Sequence, residues 1–351
     1  MTACFPSMSF RSRSRLRGFS LVEVMVSMAI LSMLLTVLLV ILNQTSTTWR
    51  YTSGKIKQFR AARDAYESIT RRLNQATLNT FWDYDNPNNP TVYQRQSELR
   101  FLSGPMANIG GTAPSGKSWA THGIFFQAPL GFTASSSSAT PDASGLENLL
   151  NTWGYFVEFG DDAAVRPPFH TAPMRYRYRL CEYMQPSNQL QLYKYTSGNP
   201  AYNGRQWFQD GLGATDRPVH SVADNVIALV MIPKLSVQDD STQTMLAPTL
   251  IYDSTTSSSI AAINPKHQLP PVVEVTMVAI DEASAIRLAQ GSTAPDVGLT
   301  GLFTSGPGAA AKFRTDLETL QARLTEKHIN FRVFTSDVVI RGARWSTEQS
   351  N

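Results

Sequence analysis

Two cysteines in 351 residues leave little room for thiol chemistry. Cys4 and Cys181 stand alone, and with no Cys-x-x-Cys pair a thiolate metal site of that type is excluded. If the segment carrying Cys4 is removed, Cys181 has no partner in the chain and no intramolecular disulfide can form. Hydrolase signatures are missing too: neither Gly-x-Ser-x-Gly nor His-Glu-x-x-His occurs. His122, His170, His220, His267 and His328 lie far apart and read as surface or packing residues. No enzyme activity, cofactor or metal is expected. The acidic pairs Asp161-Asp162 and Asp239-Asp240 have the oxygen chemistry for calcium, but neither has further acids at ligand spacing.

Acid is absent from the first 18 residues, which carry Arg11, Arg13, Arg15 and Arg17. The chain has 31 Lys+Arg against 27 Asp+Glu, a net charge of +4. Taking those 4 arginines from 31 leaves 27 basic residues against 27 acidic ones. Without the leader no long-range attraction to DNA is built in, so nucleic acid is not expected as a partner.

What the sequence has in quantity is one long apolar run. Phe19 to Leu42 carries a single charge, Glu23. As a helix it would be about 36 Å long, enough to cross a bilayer. A cleaved secretory signal would have a shorter apolar core with its cut after it. A cut here belongs before the run, at Gly18. A carboxylate within such a span costs a few kcal/mol, which makes Glu23 a functional candidate with a bland alternative, snorkelling to the interface. A partner for it would be the free amino terminus of a neighbouring copy, if processing made Phe19 the first residue.

Arg17-Gly18-Phe19-Ser20-Leu21-Val22-Glu23 resembles the processing motif of type IV prepilins and type II secretion pseudopilins. The resemblance implies cleavage after Gly18, N-methylation of Phe19, and a salt bridge from Glu23 to the amino terminus of the adjacent subunit. It also implies the partners: a prepilin peptidase/methylase, other pilin or pseudopilin subunits, an inner-membrane assembly platform and the lipid bilayer. Val40 stands where many pilins have a helix-kinking Pro, and Ser32 where Gly is frequent. The first departure favours a straighter helix. The charges flanking the span nearly balance, since Arg50, Lys55, Lys57 and Arg60 follow it. Orientation, N-terminus in and C-terminus out, therefore rests on the motif.

Beyond the span, Trp49, Ile56, Phe59, Tyr66, Ile69 and Leu73 form one apolar stripe, with Lys57, Arg60, Arg63, Asp64, Arg71 and Arg72 on other faces. One helix of about 90 Å is expected from Phe19 to Thr80, ended by Asp83-Tyr84-Asp85-Asn86-Pro87. Strands are expected at Glu98–Leu102, Ile124–Pro129, Tyr155–Phe159, Met174–Leu180, Leu190–Tyr195, Val226–Ile232, Val272–Ile280 and Ile329–Ile340. Two helices follow, at Glu282–Gln290 and Lys312–His328. The fold class is α+β: a long N-terminal helix, half transmembrane and half amphipathic, packed on a mainly antiparallel sheet in pilin-like fashion. The domains read as a cleaved leader 1–18, a span 19–42, a helical continuation 43–82 and an α+β domain 83–351, with surface loops near 131–150, 236–270 and 291–310.

Leu269-Pro270-Pro271-Val272-Val273-Glu274-Val275-Thr276-Met277 resembles the late strand of J-type minor pseudopilins and PilW-like minor pilins, and the whole length is similar to the pilin-like Verru_Chthon cassette protein C family. These resemblances imply a minor structural subunit of a pilus or pseudopilus serving secretion, adhesion or uptake. The alternative is a membrane-anchored extracytoplasmic module that binds a surface ligand or nucleic acid, and an anchored enzyme is a distant third. For that module the candidate is Arg175, Arg177 and Arg179, which alternate along one strand face. Their bland alternative is a solvated sheet face, or pairing with acids of another strand.

Overall fold

The computed structural model describes residues 20–86, 88–134, 148–163, 166, 167, 169, 171–194, 204–257 and 264–346, with backbone only at 50, 51 and 53–58. Contacts divide the chain into two units, Met1–Gly54 and Lys55–Asn351.

In the first unit, helix α1 (Leu21–Leu73) begins. Its stretch Leu21–Trp49 contains an 18-residue window of mean hydropathy 2.8 and has no buried residue. An α-helix satisfies its own backbone, so a helix apolar on every side suits hydrocarbon rather than water. Trp49, expected in the packed stripe, is 73% exposed. It falls among these residues and not among those that bury the stripe.

The second unit carries the rest of α1, where Ala62, Ala65, Tyr66, Ile69 and Leu73 are buried. The helix stops at Leu73, short of the expected Thr80. Its end tightens, the amides of Gln75 and Ala76 donating to the Arg72 and Leu73 carbonyls at 3.0 Å each, and Phe81–Tyr84 (β1) instead pairs with Tyr93–Gln96 (β2) as a two-stranded antiparallel hairpin. The turn residues Asp85 to Pro90 therefore close a hairpin rather than cap a helix. Next come Leu102–Pro105 (β3), the short helix Met106–Ile109 (α2), Ser118–Pro129 (β4), Leu150–Gly160 (β5), Arg177–Gln185 (β6), Gln206–Gly213 (α3), Val219–Asp224 (β7), Val226–Lys234 (β8), Tyr252–Asp253 (β9), Val272–Ile280 (β10), Glu282–Leu288 (α4), Ala309–Glu326 (α5) and Phe331–Val339 (β11).

Two antiparallel sheets result, a six-stranded one in the order β7-β6-β5-β4-β3-β9 and a three-stranded one in the order β11-β10-β8. Their apolar residues divide by strand parity. Ile124, Phe126, Tyr155, Val157 and Leu180 face the same core as Met231, Val275, Met277 and the α1 residues Ile69 and Leu73. Phe125, Phe156, Cys181 and Tyr183 face α2 and α3, with Trp207, Phe208 and Leu212. Ile227, Val230, Ile232 and Val278 face α5, with Phe313, Leu320 and Leu324. Because both faces of β8 and β10 are covered, these strands are mostly apolar instead of alternating, with Lys234 at the end of β8 paired to Glu274 of β10. Gly154 sits opposite Phe125 in the ladder. A Cβ there would come within 2.4 Å of the Phe125 ring, so only glycine fits.

A bulge in β4 joins the sheets. Register slips between Ala120 and Gly123, with Thr121 in the left-handed region at φ 49°. The amide of Leu229 donates to Thr121 Oγ1 at 2.9 Å, and that of Met231 to His122 Nδ1 at 3.4 Å. His122 Nε2 donates to the Phe303 carbonyl at 3.1 Å. Burial pushes the imidazole down to about 4, so it stays neutral in this role.

Other expectations need correcting. Of the expected strand Leu190–Tyr195, the described residues 190–194 form none: Leu192–Lys194 is a single 3-10 turn following another at Ser187–Gln189, and Tyr195 lies outside the described residues. Glu98–Leu102 is extended only at its end, since β3 starts at Leu102, and Met174–Tyr176 precede β6. The presumed surface loop 236–270 contains β9 and buries Leu246, Leu250, Tyr252 and Leu269. The one near 291–310 buries Val297 and Phe303. Large apolar side chains in polar surroundings turn both segments inward. Residues 135–147, the Ser/Thr/Ala-rich stretch, lie outside the described residues.

Candidate functional site

Glu23 lies in the first turn of α1, where a carboxylate complements the positive end of the helix dipole. It is exposed and makes no hydrogen bond or ion pair with another described residue. Ser27, Ser32 and Thr36 donate back to carbonyls one turn earlier, at 2.9, 2.9 and 2.7 Å, which hides the hydroxyls that interrupt the apolar run. Glu23 is thus left as the one strongly polar group of that run. Arg11, Arg13, Arg15, Arg17, Gly18 and Phe19 lie outside the described residues.

The amphipathic part of α1 is attached to the domain by a polar cluster as well as by its stripe. Arg72, assigned to an outer face, turns in over Trp153, with its guanidinium carbon 4.3 Å from the ring centre. It donates to the Tyr155 hydroxyl at 2.8 Å and pairs with Glu182. Tyr155 in turn donates to Glu182 at 3.0 Å and accepts from Trp153 Nε1 at 3.0 Å. Burial, and secondly the Glu182 charge, push the Tyr155 hydroxyl well above its usual value, so it remains a donor. Tyr66 donates to the Val275 carbonyl at 2.9 Å across the same interface.

The arginine face of β6 divides. Arg177 forms a two-pronged pair with Glu282, which also accepts from Asn225 at 2.8 Å. Arg179 is buried, donating to Asp224 at 3.2 Å and to the carbonyls of Gly160 and Asp161 at 2.9 and 2.6 Å. Only Arg175 is exposed. Two of the three therefore serve pairing with acids, the bland alternative, and no continuous cationic stripe remains.

The acidic pairs build turns. Asp240 accepts from the amides and hydroxyls of Thr242 and Thr244, which holds its carboxyl far below the usual range. Asp162 accepts from the Arg175 amide at 3.0 Å and pairs with Arg166 at 3.2 Å. Among the described residues no three His, Cys, Asp or Glu side chains gather as metal ligands. Cys181 is buried, and burial first, then Glu158, raises its thiol out of reactive range. His170 lies outside the described residues.

One spacing was passed over in the sequence. Gly111 to Ser118, Gly-Thr-Ala-Pro-Ser-Gly-Lys-Ser, fits the phosphate-loop pattern Gly-x-x-x-x-Gly-Lys-Ser. That chemistry needs a following helix whose N-terminus faces the phosphates. Here Ser118 opens strand β4, and Lys117 is committed to Glu158 at 2.7 Å. The segment lacks the geometry of a phosphate loop.

Residues 13–39 match the family described as the prokaryotic N-terminal methylation motif. The match covers Arg13, Arg15, Arg17, Gly18, Phe19 and Glu23, and it supports the pilin and pseudopilin class. Proteins carrying this motif are structural, and it implies a prepilin peptidase and sibling subunits as partners. No curated protein and no solved structure matches the chain.

Proposed function

We propose that this chain is a minor pilin-like or pseudopilin structural subunit. Its leader arginines hold the N-terminus on the cytoplasmic side, and a prepilin peptidase cuts after Gly18 and methylates Phe19. The apolar part of α1 first spans the inner membrane with the α+β domain outside. An assembly platform then draws it into a pilus or pseudopilus, where Glu23 pairs with the amino terminus of a neighbour. The machine served is one of secretion, adhesion or uptake. One observation carries this reading: the methylation motif at 13–39 overlaps a helical stretch, residues 21–42, that is exposed on every side and charged only at Glu23. A domain of this size is awkward to repeat along a filament, which favours a minor position such as the tip. Gly18→Val should leave the chain at precursor length on a denaturing gel in cells containing the peptidase, while the parent chain shortens. Equal shortening of the variant would contradict cleavage at that bond.

A further inference from the structure

Five guanidiniums of the domain sit against carboxylates. Arg72, Arg166, Arg177, Arg179 and Arg217 each face a carboxylate. By contrast, a cleft of about 450 Å³ between the β1–β2 hairpin, residues 267–269 and the segment after β11 is lined by Arg95, Arg341 and Arg344 and, among the described residues, by no Asp or Glu.

The chain holds this cleft in place by specific contacts. After β11 the backbone turns back: Ile340 donates to the Pro271 carbonyl at 3.0 Å and Arg341 to that of Asn74 at 3.1 Å. Gln268, only 1% exposed, uses its whole amide as a clamp. Its Oε1 accepts from Arg95 Nη1 and the Ser346 amide, each at 2.8 Å, and its Nε2 donates to the carbonyls of Asn264 and Ser346 at 2.9 and 3.1 Å. Among the described residues Arg95 thus has only neutral acceptors, Gln268 and the Arg344 carbonyl at 3.2 Å. The Arg341 and Arg344 guanidiniums are exposed and have no ion-pair partner among the described residues. His267 lies in the left-handed region at φ 56° and lines the same cleft. Burial first, then the charges of Lys266, Arg100 and Arg95, push its imidazole down to about 4. Trp82 forms the remaining wall, 60% exposed, with the Arg95 guanidinium carbon 5.9 Å from its ring centre.

Three guanidiniums in one concavity, with no carboxylate paired to them among the described residues, focus a positive potential. A lone carboxylate would offset one of them. A phosphomonoester carries about two negative charges and three acceptor oxygens, which matches forked donors better. The volume is in the usual range for a small-ligand site. We propose that this cleft binds a phosphomonoester, its head held by Arg95, Arg341 and Arg344 and its attached group lying against Trp82. The phosphate comes from a soluble metabolite or from a lipid headgroup, and the chemistry of the cleft is common to both. The proposal is independent of filament assembly.

The test is calorimetric titration of the detergent-solubilised full chain with inorganic phosphate, adenosine monophosphate, adenosine, acetate and dihexanoyl phosphatidic acid. Phosphate and at least one of the two monoesters should bind, and adenosine and acetate should not. Binding of adenosine monophosphate identifies a soluble source, and binding of phosphatidic acid alone a headgroup. Arg341→Gln with Arg344→Gln should weaken phosphate and monoester binding about tenfold or more, since each charged hydrogen bond is worth a sizeable part of a tenfold factor. Both residues are exposed, and an unchanged melting temperature confirms folding. Trp82→Ala should weaken the monoester but not inorganic phosphate. Lys312→Gln on α5 should change nothing. Equal affinity of the double variant, no binding of any phosphate, or acetate binding as tight as phosphate would overturn the proposal.

Discussion

Glu23→Ala is expected to enter the membrane normally and to be nearly absent from sheared filaments. Removing the one charge of the apolar run lowers the cost of insertion, because a carboxylate within a span costs about 3 kcal/mol on insertion scales. Anchoring should therefore hold or improve. Assembly should suffer for the opposite reason. In the proposed filament the neighbour's free amino terminus meets Glu23 away from water. Deleting one partner of such a pair leaves the other charge uncompensated, at about 3–5 kcal/mol. At about 1.4 kcal/mol per factor of ten, each contact weakens at least a hundredfold. Comparing the variant in membrane and filament fractions measures both effects. Normal incorporation of Glu23→Ala would remove the salt bridge from the account.

Ile69→Ala tests the attachment of α1 to the domain. Ile69 is fully buried among residues of both sheets. Truncating a buried Ile to Ala costs about 2–5 kcal/mol, from lost transfer energy and the cavity left behind. The melting temperature of the solubilised chain should fall by several degrees. Arg63→Ala, three residues after Arg60 on the exposed side, is the control. Its pair with Glu67 at 2.9 Å has side chains 69% and 53% exposed. Such pairs contribute about 0.3–0.5 kcal/mol, so little should change. Equal effects of the two substitutions would mean that the stripe is not the docking face.

The contrast between those residues also shows what the sequence could reveal. The helical stripe from Phe59 to Leu73 was legible because its period of apolar positions is set by the helix itself. Strand β10 was legible at its full extent, Val272–Ile280, because eight of the nine residues between Pro271 and Asp281 are apolar or β-branched, Glu274 being the exception. Helix α3 was not, because Gly211 and Gly213 depress its propensity while Trp207, Phe208 and Leu212 gain their burial from distant strands. The β1–β2 hairpin was hidden by a turn cluster that reads equally well as a helix stop. Arg72 shows the limit for charged residues: its sequence position marks an outer face, and Trp153, Tyr155 and Glu182 draw it inward. The motif at the N-terminus was wholly local and could be read residue by residue. The cationic cleft was not local at all, since Trp82, Arg95, His267, Arg341 and Arg344 meet only after folding, and no spacing announces them.

The basic character of the chain likewise depends on one short segment. All four excess charges are arginines that the account assigns to a discarded leader. Intact mass of the chain extracted from membranes of a cell with the peptidase tests that assignment most directly. The account predicts a mass lacking residues 1–18 and carrying one added methyl group, with fragmentation placing the methyl on Phe19. A chain still beginning at Met1, or cut at a bond other than Gly18–Phe19, would contradict it.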